Sequence, residues 1–280
     1  MVDTASIVIA VVSMVGALSA ALFTVYGTYL ADERKRRHGI QVEVRKYSDP
    51  LLVAADDLQD RLYEILDVGF TKYDIKKNEN GIQNVEIFSS FLLAQFLAWA
   101  RILKIQTQFL AFSEDKSTSY LRESLYKISD ELSTNRYPKP AWEFRLWPGH
   151  QLAIGELMLV KDKDTTQLTP MGFHDFNDQF KERFSVYFHW FIKSIHNVNG
   201  ARYDGSEIIP DGRGRRLQHL LVDLVKSLDS DGNARAGREP QKCIPAAKCD
   251  CLTCGDMELA KDRRDRRRSC NAKTAAKLEV

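Results

Sequence analysis

Cysteine is missing from this 280-residue chain until position 243, and all five cysteines lie between Cys243 and Cys270. A small secreted scaffold spreads its cysteines through the fold to staple it. That class is excluded, and the cysteine-free bulk fits a reducing compartment. An excess of one charge is missing as well. Lys and Arg number 40 against 38 Asp and Glu, a net charge of +2, which argues against a surface built throughout for nucleic acid. Catalytic signatures are also absent: there is no P-loop, no Gly-x-Ser-x-Gly, no His-Glu-x-x-His and no dinucleotide-type glycine fingerprint. No stretch alternates with period two over strand length, so no sheet is expected.

The most telling absence is local. Ile7 to Leu30 carries no charged residue. About 20 apolar residues span a bilayer core, so residues 1–31 are expected to form a single transmembrane anchor. A cleaved signal peptide would need a basic start and a shorter apolar run, and the N-terminus here carries only Asp3. Arg34, Lys35, Arg36 and Arg37 follow the run, then Arg45 and Lys46, and no basic residue precedes it. The positive-inside rule puts the N-terminus outside and the C-terminal bulk in the cytosol. The Arg34–Arg37 quartet is also the candidate for anionic lipid headgroup contact. Ser13, Ala17 and Ala21 repeat every four residues, as do Gly16, Ala20 and Thr24. Small residues at that spacing permit close helix approach, so Ser13, Gly16, Ala17, Ala20 and Ala21 are candidates for self-association.

A basic stalk is expected over 32–47, then a helical domain over 48–231. Ser48-Asp49-Pro50 has the grammar of a helix start, a capping side chain followed by proline. Leu51, Ala54, Ala55, Leu58, Leu62, Ile65 and Leu66 then keep the helical period. Asn80-Gly81 signals a turn. A second helix is expected from Val85 to Phe112. Its run IFSSFLLAQFLAWA (Ile87 to Ala100) is uncharged but short and followed by Arg101 and Lys104, which suits a buried core helix better than a span. Further helices are expected near Ser119–Leu132 and His150–Val160. Thr169-Pro170 repeats the cap-plus-proline start. The helix after it carries Phe173, Phe176, Phe180, Phe184, Tyr187, Phe188, Phe191 and Ile195 in steps of three and four, a core stripe rather than a cofactor box. Leu217, Leu220, Leu221, Leu224, Val225 and Leu228 mark the last helix. The fold class is therefore all-α: one N-terminal transmembrane helix and a cytosolic bundle of about six helices. Residues 232–280 lose apolar periodicity and are expected to be a disordered Cys/Arg-containing tail.

Candidate chemistry is sparse. Cys243, Cys249, Cys251 and Cys254 could close a zinc site, but only Cys251 and Cys254 have knuckle spacing, and the alternative is a flexible tail with accessible thiols. Lys261 to Arg268 reads KDRRDRRR, with no aromatic residue on which a base could stack, so nucleic acid is not strongly indicated. His174 and Asp178 share a helix face without a third ligand. Arg61, Arg145, His150 and Glu156 are the polar groups that could line a pocket inside the bundle. Glu156 beside an apolar seam suits a proton-transfer role or a structural pair with an arginine.

Tyr47–Tyr63 (YSDPLLVAADDLQDRLY), Gly149–Met158 (GHQLAIGELM) and Arg216–Leu224 (RLQHLLVDL) resemble a family of uncharacterised bacterial and fungal proteins, often with an N-terminal span. The resemblance covers roughly Tyr47 to Asp231, excludes the tail, and implies no activity. The sequence thus points to a membrane-anchored helical interaction module with the bilayer, a second copy and an unidentified protein as partners, and with no cofactor. A pocket-bearing enzyme or ligand-binding protein is the alternative. A third reading is an effector that disturbs the bilayer through Ile87 to Ala100.

Overall fold

The computed structural model describes residues 4–68, 79–107, 116–135, 143–162, 167–203, 212–229, 232 and 238–243. These residues are predominantly helical: 85% of them lie in helices. Helix α1 runs without interruption over Thr4–Tyr63 and ends in a π-helical turn, Glu64–Val68. It is followed by α2 (Glu79–Thr107), α3 (Lys116–Ser133) and α4 (Pro148–Leu157), then the strands β1 (Leu159–Lys161) and β2 (Leu168–Pro170). Helix α5 (Phe173–Gln179) passes through a second π turn, Phe180–Phe184, into α6 (Ser185–Tyr203), and α7 (Gly212–Leu228) closes the helical part.

Two expected helix starts lie elsewhere. Pro50 is inside α1 rather than at the head of a new helix. The reason is visible at Ser48, whose hydroxyl donates back to the Arg45 carbonyl (3.4 Å) instead of capping the amides that follow. Thr169-Pro170 is likewise not a cap. Both residues belong to β2, and the next helix begins at Phe173 with Gly172 as its N-cap. Asn80-Gly81 lies in the first turn of α2, not in a turn between helices.

The expectation of no sheet is corrected by a small antiparallel ribbon. Its register pairs Leu159 with Pro170, Val160 with Thr169 and Lys161 with Leu168. Three residues per strand are too few to display an alternation, so this element left no periodic trace in the sequence.

The core forms where α1 meets α2 and α7, α2 meets α4 and β2, and α3 meets α7. Leu51, Leu58 and Leu62 of α1 and Ile65 and Leu66 of the π turn after it are fully buried, as are Leu93, Ala94, Phe96 and Ala98 of α2. The aromatic stripe is core from Phe176 on, as its spacing predicts, while Phe173 at its start is exposed and Tyr187 is half-buried. Phe176, Phe180, Phe184, Phe188 and Phe191 are buried; Phe176 meets Phe180, Phe184 and Phe188, its centroid 4.5 Å from that of Phe184, and Phe188 meets Phe191. A step of four residues drifts about 40° around an α-helix, which would rotate the stripe out of the core. The π turn at Phe180–Phe184 takes up part of that drift and keeps the phenylalanines on one face.

The N-terminal half of α1 behaves differently. Leu22, Phe23, Val25, Tyr26 and Tyr29 are exposed apolar side chains, Phe23 to 84%. From Tyr47 onward the same helix is buried along one face. Gln83–Gln106 is long and apolar enough to cross a membrane by length and composition, yet 61% of its most apolar window is buried inside the protein. That burial is what a core helix requires.

Candidate functional site

Helix α7 opens with Gly212-Arg-Gly-Arg-Arg-Leu-Gln-His219, and four residues of this segment, Arg213, Arg215, Gln218 and His219, are buried polar groups. Arginines at a helix N-terminus meet an unfavourable dipole, so local propensity does not place them there. Their partners do. Arg213, 1% exposed, donates through Nη1 to the Glu143 carbonyl (2.5 Å) and through Nη2 to the Thr134 carbonyl (2.8 Å). Arg215 donates to Asp67 (2.6 Å) and to the Leu66 carbonyl (3.2 Å). Arg216 forms an ion pair with Glu131 at 2.6 Å. The three guanidinium groups therefore bind the end of α1, the end of α3 and the segment before α4, and they fix α7 against all three.

The next two residues make a different kind of contact. Gln59 on α1 donates through Nε2 to the carboxylates of Asp56 (3.1 Å) and Asp60 (2.7 Å). Carboxylates only accept, so this amide has one permitted orientation, and its oxygen faces α7. There it accepts from Gln218 Nε2 (3.1 Å). Gln218 Nε2 also donates to the Gln241 carbonyl (2.7 Å), and Gln218 Oε1 accepts from the Cys243 amide (3.2 Å). His219 Nε2 lies 2.9 Å from the Cys243 carbonyl. Lys242 pairs with Asp223 at 2.6 Å. Gln59, Gln218 and His219 are all within 1% of complete burial. Asp57, beside this acidic turn, has its pKa raised by burial first and by Asp56 and Asp60 second.

The packed chain thus reaches Cys243, beyond the expected limit of Asp231. Of the zinc candidates, Cys243 is buried. Cys249, Cys251 and Cys254 lie outside the described residues, as does Lys261 to Arg268. Among the described residues, no group of three His, Cys, Asp or Glu side chains is placed to hold a metal ion. His174 and Asp178 stand 3.6 Å apart on an exposed face.

The four pocket candidates have separate partners. Arg61 donates through Nε to Ser89 on α2 (2.9 Å) and pairs with Glu64 (3.0 Å). Burial lowers its pKa and Glu64 opposes that shift. Glu156 pairs with Arg101 (2.7 Å), an arginine the sequence reading had not matched to it. Gly155, beside it, presses so closely on α2 that an added Cβ would lie 3.2 Å from the Leu97 carbonyl oxygen. Arg145 donates to Asn135 and lies over the Trp147 ring at 3.8 Å. His150 meets the edge of Tyr187 at 5.3 Å.

On α1, Arg34, Lys35 and Arg36 are exposed, and Glu33 holds Arg36 at 2.9 Å and raises its pKa. The Arg37 side chain lies outside the described residues. Ser13, Gly16, Ala17, Ala20 and Ala21 are exposed, and a Cβ at Gly16 would meet nothing within 4 Å.

The sequence reading missed Gln59, Gln218, His219 and the partners of the α7 arginines. The available signal was an amphipathic helix whose N-terminal arginines sit among core positions. The segments that carry the family resemblance fall on the second half of α1, on α4 and on α7. No family profile, curated protein or solved structure matches the chain.

Proposed function

We propose that this chain is a single-pass membrane protein whose N-terminal run sits in the bilayer and holds a bundle of about six helices at the cytosolic face as an interaction module. One observation carries the reading. A single helix is apolar and exposed around Leu22 to Tyr29, yet its continuation from Tyr47 is buried in the core. Exposed leucine, valine and phenylalanine in a row are costly in water and stable in hydrocarbon. The basic residues Arg34 to Arg37 follow at the level where anionic headgroups would lie. A module role, rather than an enzymatic one, is favoured because Arg61, Arg145, His150 and Glu156 each engage a different neighbour. Burial of α2 likewise favours it over a bilayer-disturbing role for Ile87 to Ala100.

The test is extraction of native membranes with alkaline carbonate. The chain is expected to stay in the pellet and to move to the supernatant only with detergent. Release by carbonate alone would overturn the reading. In detergent, Ala17→Ile with Ala21→Ile is expected to shift the chain to a smaller assembly, because β-branched bulk blocks close helix approach.

A further inference from the structure

We propose that the groove along α7 lined by Gln218, His219, Asp223 and Lys226 is a binding site for an extended peptide, and that the chain's own segment Arg238–Cys243, a strap over that face, is its resident, displaceable ligand. The inference stands whether or not residues 7–30 enter a bilayer. It begins with what holds the segment. Gln218 uses both ends of its side-chain amide on strap backbone, donating to the Gln241 carbonyl (2.7 Å) and accepting from the Cys243 amide (3.2 Å). His219 Nε2 reaches the Cys243 carbonyl (2.9 Å). These three contacts read main-chain groups, which every peptide offers.

Side chains add selectivity. Lys242 meets Asp223 at 2.6 Å, Glu239 meets Lys226 at 3.2 Å, and the Cys243 side chain is 2% exposed. The groove therefore takes a basic residue followed by a small apolar or thiol side chain. Its reading groups are also oriented in advance. Asp56 and Asp60 fix Gln59, and Gln59 fixes Gln218. An amide held at one end by two carboxylates keeps its orientation when the strap departs, which favours rebinding.

The segment itself lacks secondary structure. Five of its six residues are exposed or half-buried and only the Cys243 side chain is buried, the make-up of a segment that opens locally rather than with the whole fold.

The experiment uses the full-length chain in detergent and a fluorescein-labelled peptide of residues 236–245. Lys242→Ala with Cys243→Asp releases the strap. That variant is expected to bind the wild-type peptide at least tenfold more tightly than the wild-type chain, whose groove is filled at high effective concentration. Adding Asp223→Lys to it should abolish binding of this peptide and confer binding of the Lys242→Glu peptide. If the strap-released chain melts like wild type and shows no saturable binding, or if the charge swap fails, the proposal is overturned. Should the variant not fold, hydrogen exchange on the wild-type chain decides. The Cys243 amide is expected to exchange well before the buried amides of α7, and equal protection would show that the strap opens only with global unfolding and sink the proposal.

Discussion

Glu131 has no exposed surface, and Arg216 Nε stands 2.6 Å from its carboxylate. Such a pair is a weak source of net stability, because desolvation offsets most of the attraction. Its removal is asymmetric, however. Arg216→Met is expected to destabilise by ~3–5 kcal/mol, since it takes a paired cation away from a buried carboxylate. Adding Glu131→Leu should recover most of that loss, to within about 1–2 kcal/mol of wild type, because a like-sized apolar pair is tolerated at such sites. Chemical denaturation of the two single variants and the double variant measures the cycle. Additive losses would show that the two residues act independently. None of this was legible in the sequence, where Arg213 to Arg216 reads as one more basic cluster. What distinguishes it from Arg34 to Arg37 is partnership across large separations. Arg215 and Asp67 are 148 residues apart, and Gln218 and Gln59 are 159 apart. Periodicity reports only near neighbours along the chain.

At the scale of elements, the helices were legible where a period of 3.6 sorts apolar from polar residues, as in the second half of α1, in α2 and in the phenylalanine stripe. Boundaries were less so. Ser48-Asp49-Pro50 satisfies every local rule for a helix start, yet α1 passes through it. Proline inside a helix removes one hydrogen bond and crowds the carbonyl four residues earlier. Substitution by alanine then has opposite consequences under the two arrangements. In a continuous helix Pro50→Ala restores the bond to Lys46 and is expected to stabilise by up to about 3 kcal/mol, raising the melting temperature. Were Pro50 the first residue of a helix, the same change would gain no bond and would lose the rigidity that proline gives to that position. Thermal melts of the full-length chain in detergent, followed by circular dichroism, separate the two. The ribbon at Leu159–Pro170 was illegible for a different reason. Its geometry comes from contact with α2 and from the Met171 amide donating to the Met158 carbonyl (2.8 Å), neither of which has a signature three residues long.

At the scale of the whole molecule, the proposed membrane anchoring gives α1 two jobs with one rod. Its 60 residues rise about 90 Å, roughly three times the thickness of a bilayer core. One end of such a rod can lie in lipid while the other lies in the packed domain, with the basic stalk between them. Continuity of the helix means that the orientation of the domain follows that of the span. Under the proposed anchoring, the positive-inside rule predicts that Arg34, Lys35, Arg36 and Arg37, set against residues 1–6 without a basic side chain, place the domain on the cytosolic side. A glycosylation acceptor fused after Val280 is expected to remain unmodified when the chain is made in microsomes, since the C-terminus stays on the cytosolic side. Changing the quartet to glutamine and placing lysines at Val2, Thr4 and Ala5 reverses the charge difference across the span. A substantial fraction of that variant should acquire the glycan. A glycan on the wild-type fusion would refute the orientation. An unmodified reversed variant would show instead that the folded bulk after Tyr47, rather than the flanking charge, decides which side the chain occupies.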